Sequence, residues 1–486
     1  MKRQALAALL LVMTAGLLSA GFSVGRPAAV KKQVSKLDDK VHARLLAGAV
    51  SNRAPANVAV VAVSTTVAAG GLAIISVSAL DPDGDALQYN WTAASGTLSA
   101  ASGASVYWLA PSTPGVYSVN CAVSDGKTAA PGSVGVAAVS PGTLRWTFTP
   151  SVAASFSSLS SPAVDKNGNV YATADDGSLH AIYPDGSPKW VFTPTADTIN
   201  TNFGPVVGAD GTIYVVADSG VTYALNPDKS LKWDPPFDPL GLVSFPPVPT
   251  AGGSVYVFDD NNDINSLHLV GPTGIGVSTF TDLPNTLAQP PVVGADGTLY
   301  LVDGGSNLYV MSPAEVTTST QADQISAPPA VATDGTIYWV ESSTDVYILN
   351  PDLSQKFEPF TPPGGANISE APVIASDGSV YVFDDANSLL YKINPATGVG
   401  APFTALTGVV YKPAAGPDGA IYLDDNGTGN DELYGLNPNG TDKWAPFLPP
   451  GLLTINSVPG VGADGTVAFT GDDGNVYAVH STSVLP

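Results

Sequence analysis

Residues 204–233 read GPVVGADGTIYVVADSGVTYALNPDKSLKW. Two short alternating apolar runs, Thr212–Val216 and Val221–Leu225, are separated by Asp, Ser and Gly. Each is bounded by an Asp-Gly or Asn-Pro-Asp turn, the signature of hairpin strands rather than of a helix. The same phrase recurs along the chain. Gly168, Gly211, Gly253, Gly297, Gly335, Gly378, Gly419 and Gly465 mark its copies, spaced by 43, 42, 44, 38, 43, 41 and 46 residues. Repeats of about 40–50 residues built from short strands indicate a β-propeller, one four-stranded blade per repeat.

The register shows in the rings. Tyr171, Tyr214, Tyr256, Tyr300, Tyr338, Tyr381 and Tyr422 each follow the repeat glycine by three residues, and Ala468 stands in the last copy. A second set, His180, Tyr223, His268, Tyr309, Tyr347, Tyr391, Tyr434 and Tyr477, falls on the third strand. Such rings would fill the space between neighbouring blades. The fourth strand is expected from SPKWVF, SLKWDP, SQKFEPF and DKWAPF in blades one, two, five and seven, with weaker versions in three, four and six. The eighth copy lacks one, and TLRWTF at 143–148 supplies it. The expected closure therefore places the first propeller strand in the last blade, which removes two open sheet edges.

Three segments precede the propeller of residues 142–486. Residues 1–23 carry Lys2 and Arg3, an apolar core and a small-residue end, as in a secretory signal. An uncleaved anchor is the alternative, and no other stretch could span a bilayer. Residues 24–54 are expected to form a short basic amphipathic helix and a linker, with Val30, Val34, Leu37, Val41 and Leu45 at helical spacing among lysines. A pro-segment, a surface anchor and a stalk all fit it. Residues 55–140 contain six or seven alternating strands between Gly, Pro, Asp and Ser turns, which predicts a β-sandwich. The expected fold class is thus all-β.

Two resemblances follow from these residues. DPDGDALQYNW and VYWLAPSTPGVYSVNCAVSDGK resemble bacterial Ig-like domains of the PKD type, which implies an adhesion, spacer or carbohydrate-associated module. The repeat resembles the PQQ-like β-propeller repeat of quinoprotein dehydrogenases and of the outer-membrane assembly lipoprotein. The dehydrogenases hold PQQ with a vicinal disulfide and a calcium site. This chain has one cysteine, Cys121, so that disulfide cannot form and no PQQ is expected. No cysteine follows the apolar core of the signal, so the lipid-attachment signal of the lipoprotein is missing.

The formal charge is −23, and residues 55 onward hold 40 acids against ten bases. That balance disfavours nucleic acid and anionic lipid and favours cations or basic partners. The acids gather in the second-to-third strand connections, which vary in length as do the linkers 235–246, 359–370 and 447–458. Both connections lie on one face of a propeller, the expected interaction face. Its expected contributors are Asp259, Asp260, Asp263, Asp384, Asp385, Asp424, Asp425, Asp431 and Glu432, with the blade three and seven loops first. These loops have the oxygen density for Ca²⁺ but no EF-hand spacing, and plain turns explain them too. Asp81, Asp83 and Asp85 offer a second candidate Ca²⁺ loop.

Catalysis is not expected. The first strands, SPAV to VPGV, should line the channel, and Lys412 is their one charged residue. The four histidines form no constellation, and His180 and His268 replace repeat tyrosines, which favours packing. The reading is an exported, non-catalytic binding scaffold of the periplasm or cell surface. Its partner would be an envelope or surface protein, with polysaccharide second. A polysaccharide-acting enzyme and a self-assembling surface protein are the alternatives.

Overall fold

The computed structural model describes residues 52–482, apart from 151–154, 157–159, 196, 262–263, 281–286, 312–316, 323, 407–412, 426–430, 452–453 and 456. The signal segment, the basic segment to residue 51, Asp263 and Lys412 lie outside the described residues. All regular elements among the described residues are strands, and none of them is a helix able to cross a membrane.

The N-terminal unit holds β1 (Ala56–Ala62), β2 (Thr66–Ala68), β3 (Leu72–Leu80), β4 (Gln88–Ala93), β5 (Thr97–Leu98), β6 (Ser105–Leu109), β7 (Gly115–Ser124) and β8 (Ala129–Val139). They form two sheets, β1-β3-β6-β5 and β2-β8-β7-β4. Alternation along β7 sends Val119, Cys121 and Val123 inward against Trp91 and Trp108. Burial raises the Cys121 thiol pKa, consistent with its expected role as a small hydrophobe. Each indole finds a carbonyl, Trp91 at Gly103 (2.8 Å) and Trp108 at Ser95 (3.0 Å). The short β2 and β5 were not legible, because two or three residues carry no period.

Eight further sheets follow among the described residues; six are laid out in sequence order from the inner strand, the third has an extra strand, and the last takes its outer strand from the start of the propeller. The repeat glycines all take left-handed φ, between +76° and +86°, in the first-to-second strand turn. The inner strands touch in a cycle. Ala163–Val164 of blade one lies beside Val206–Val207 of blade two and also beside Gly460–Val461 of blade eight. The strand-two tyrosines are buried between blades, Tyr214 for example against Val255 and Val257 of blade three.

β9 (Leu144–Phe148) joins the last blade as the sequence predicts, pairing antiparallel with Val476–His480. It also explains the Lys-Trp motif. Arg145 Nη1 reaches Asp464 of its own blade at 3.0 Å, and both side chains are buried. Trp146 donates its indole N–H to Pro184 O in blade one (2.9 Å), and Phe148 packs edge-on against His180 of blade one. Later blades repeat this. Trp190 reaches Pro227 O at 3.0 Å, and Trp233 reaches Pro272 O at 3.1 Å. Phe192 meets Tyr223, and Phe237 meets His268. The cation bonds within the blade, Lys232 to Asp210 and Lys356 to Asp334. The rings bond to the next blade.

The indoles need space on both sides. Trp146 and Trp233 lie over the turn glycines Gly186 and Gly274, where an added Cβ would come within 2.6 and 2.7 Å of the ring. Opposite the repeat tyrosine, the third strand carries Ala181, Ala224, Gly435 and Ala478 in the Trp-bearing blades. There Ala468 of blade eight replaces the tyrosine. Blades three, four, five and six, which lack the Trp, carry Leu269, Val310, Ile348 and Lys392 there. One volume is filled from either strand.

The fourth-strand expectation needs correction. Blades two and seven, with strong motifs, have three-stranded sheets, while blades three, four and six have complete ones. In blade two the ladder holds at Lys232 N to Ala224 O (2.8 Å) and again at Phe237 N to Thr222 O (3.0 Å). Between these, Trp233 turns inward and Pro235 and Pro236 have no N–H to give. Blade seven does the same around Trp444 and Pro446, rejoining at Phe447. The motif marks inter-blade packing, and strand continuity is a separate matter.

Trp146→Ala should cost about 3–5 kcal/mol, the range for a large buried ring, read as a lower urea midpoint; an unchanged midpoint would refute the closure. A second prediction concerns acid. His480 is buried, and burial followed by the Arg145 charge lowers its pKa from 6.5 to about 3. The unfolded chain then binds more protons than the native one between about pH 6.5 and 3. Stability should fall as pH drops through that window, and His480→Gln should lose less melting temperature between pH 7 and pH 4 than the parent.

Candidate interaction face

The face formed by the second-to-third connections is built on strand two, whose residues are buried on both sides because each blade is sandwiched between two others. Six residues after the repeat glycine, at its upper end, stands an acid in blades three to seven: Asp259, Asp303, Glu341, Asp384 and Asp425. Blades eight, one and two have Gly471, Ala174 and Ala217 there. All five acids are buried.

These carboxylates hold loops together. Asp303 accepts the Gly305 and Asn307 amides (2.9 and 2.8 Å) and the Tyr309 hydroxyl (3.1 Å). Asp384 accepts the Asn367 and Ala386 amides (3.0 and 3.1 Å) and the Asn387 side chain (2.7 Å). In blade three the pair becomes Asp259 and His268, with Nε2 3.4 Å from Oδ2, and His268 Nδ1 lies 3.1 Å from Thr279 Oγ1. This acid–imidazole line is the repeat's Asp303–Tyr309 bond with the ring exchanged, so packing explains His268, as the sequence suggests. His180 likewise sits between Phe148 and Phe156.

The expected acidic contact surface is therefore corrected in its residues. Asp259, Asp384, Asp424, Asp425 and Asp431 are buried. Asp431 accepts the Ile455 amide at 2.6 Å, and its pKa is raised by burial, then by Asp472 and Asp425. Asp385 is half-buried and bonds Ser369, and half-buried Glu432 accepts the Tyr434 hydroxyl at 3.0 Å. Asp260 lies in a backbone pair with Asn265. In blades four and six the buried acid accepts backbone amides of the loops beside it.

The D-x-D-G-D loop is also committed elsewhere. Asp81 Oδ1 accepts the Asp83 and Asp85 amides (2.8 and 3.0 Å). Asp83 binds Arg53 at 2.8 Å, and bonds from the Arg53 backbone and side chain lower its pKa. Asp85 binds Lys127 at 2.9 Å. Among the described residues no group of three or more His, Cys, Asp or Glu is placed to hold a metal ion. The inner strands carry half-buried aliphatic residues, Val206, Val207, Val292 and Val293 among them, packed against the core clusters of the blades.

Sequence reasoning missed the apolar part of this face. In the linker 235–246, Leu240 is 82% exposed and Leu242 62%. Leu240 holds a left-handed φ of +67°, a conformation uncommon for a residue with a Cβ. Its amide is tied to Asp238 Oδ1 at 2.8 Å. Leu242–Val243 adds an extra strand to blade three, against the long hairpin Val255–Asn261 and Ile264–Val270. Asp218 and Asp238, both exposed, belong to the same pair of loops. The signal was present as DPLGL, a turn sequence carrying two leucines.

A model of the outer membrane protein assembly factor BamB matches residues 132–357, and a model of a bacterial Ig domain matches residues 52–137. The chain carries a PQQ-like β-propeller preceded by a bacterial Ig domain. BamB from Moraxella catarrhalis is 14% identical, with a TM-score of 0.51 over 71% of this chain and 99% of that one. The C-terminal WD40 domain of Sif2 is 11% identical, with a TM-score of 0.51 over 70% and 98%. An inactive virginiamycin B lyase from Staphylococcus aureus is 13% identical, with a TM-score of 0.44 over 59% and 98%, too loose to inform chemistry. At these identities the likeness is one of fold. A search of curated proteins gave no match.

Asp384→Ala should destabilise the PQQ-like propeller by about 1–3 kcal/mol, the cost of stranding buried donors. Asp218→Ala, at an exposed loop, should stay within about 0.5 kcal/mol. Equal urea midpoints for the two would overturn the structural role given to the buried acids.

Proposed function

We propose that this chain is an exported, non-catalytic binding scaffold of the cell envelope. Its eight-bladed propeller presents the loop-rich face to a protein partner. The observation that carries this is the exposed pair Leu240 and Leu242 on a turn whose backbone is held left-handed. The exposed side chains of Leu240 and Leu242 bury little surface in this chain, and such strain persists where surrounding structure enforces it for function. The flanking carboxylates Asp218 and Asp238 favour a partner with a basic rim around an apolar cleft. The signal-like residues 1–23 support export.

The test is site-specific photocrosslinking from position 240 in intact cells, against position 183 in a third-to-fourth strand turn. A discrete adduct at 240, absent at 183 and lost when Leu242→Asp is added with the melting temperature unchanged, is the expected result. The same adducts from both positions would sink the proposal.

A further inference from the structure

Blade six breaks the packing rule of the Trp-bearing blades. Its third strand puts Lys392 opposite Tyr381, where Ala181 and Ala224 stand in blades one and two. Its fourth strand, Gly400–Ala405, offers Phe403 against Tyr381 at 4.9 Å but no indole. A groove of about 660 Å³ opens there between blades six and seven, with Pro395, Val399, Ala401, Pro402, Phe403 and Pro438 on its walls. The turn carbonyl that accepts an indole N–H in blades one, two and three is here Pro438 O. Lys392 Nζ reaches it at 2.9 Å. The ammonium also lies 5.4 Å from the Tyr381 ring centre and 5.8 Å from that of Phe403. Asp377 also lines the groove, with its carboxylate in a loose ion pair 3.9 Å from the ammonium.

We propose that this groove binds a free planar aromatic carboxylate. Phe403 itself holds the place against Tyr381 and over Gly440 that an indole holds at the Trp-bearing seams, and the ligand ring lies beyond it, on the apolar wall of Phe403 and the prolines. The carboxylate pairs with the Lys392 ammonium, which has two further N–H donors beyond the bond to Pro438. The groove's size suits a small molecule, such sites running from about 300 to 1,000 Å³. A charge-assisted bond at a partly desolvated ammonium supplies the anion preference. The groove is bounded by the third-to-fourth strand turns, so it lies on the opposite side of the ring from the loop face and does not depend on the function proposed above.

The experiment is calorimetric titration of the full chain with indole-3-carboxylate and, separately, with neutral indole. Saturable one-site binding of the acid is expected. Lys392→Met should weaken the acid by about tenfold or more, the usual weight of a charged hydrogen bond, and leave indole unchanged. Ala401→Trp rebuilds a large ring on the fourth strand and should abolish binding of both. Near-ultraviolet circular dichroism checks that each variant is folded, and Lys392→Gln serves if the methionine variant is not. Absence of saturable binding by the parent, or an acid affinity unmoved by loss of the ammonium, would overturn the proposal.

Discussion

No blade of this propeller can bury its own faces, and at several seams the contact that solves this is a ring that the outer segment of one blade lends to the next. Trp146, Trp190 and Trp233 each spend an indole N–H on a proline carbonyl one blade on. A phenylalanine two or four residues later meets a third-strand ring of that same neighbour. Stability is thus carried across seams, as nearest-neighbour coupling in repeat proteins requires. The N-terminal strand is the one element that must do this for two blades distant in sequence. It completes the eighth sheet, bonds Asp464 through Arg145 and reaches the first blade through Trp146 and Phe148.

The same economy governs charge. An acid at the end of strand two is enclosed by neighbouring blades, and a buried carboxylate must be met by donors. Backbone amides of the long connections meet it, so the loops are folded around the acids. The face left to solvent is consequently less acidic and more apolar than residue counts suggest. Leu240 and Leu242 stand out on it because the carboxylates beside strand two are turned inward.

Blades that depart from the repeat are where the surface offers something. Blade three gains a strand and a long hairpin, and with them the exposed leucines. Blade six seats Phe403 rather than an indole against Tyr381, and Lys392 stands beside it at a groove. A regular repeat fills its own seams, so a binding feature needs a local departure from it.

The recurring glycines, the tyrosine three places after each, and the missing fourth strand regained at 143–148 were all legible in the chain itself. They are local or periodic, and periodicity survives without coordinates. Burial of Asp384 beside half-buried Asp385 was not legible, since two adjacent aspartates read alike until the pleat sends one inward. Nor was the loss of the fourth strand in blades two and seven, because the tryptophan that looks like strand sequence leaves the ladder to reach the next blade. Which side chains meet across a seam depends on the blade beside them, and only the closed ring brings that neighbour into place.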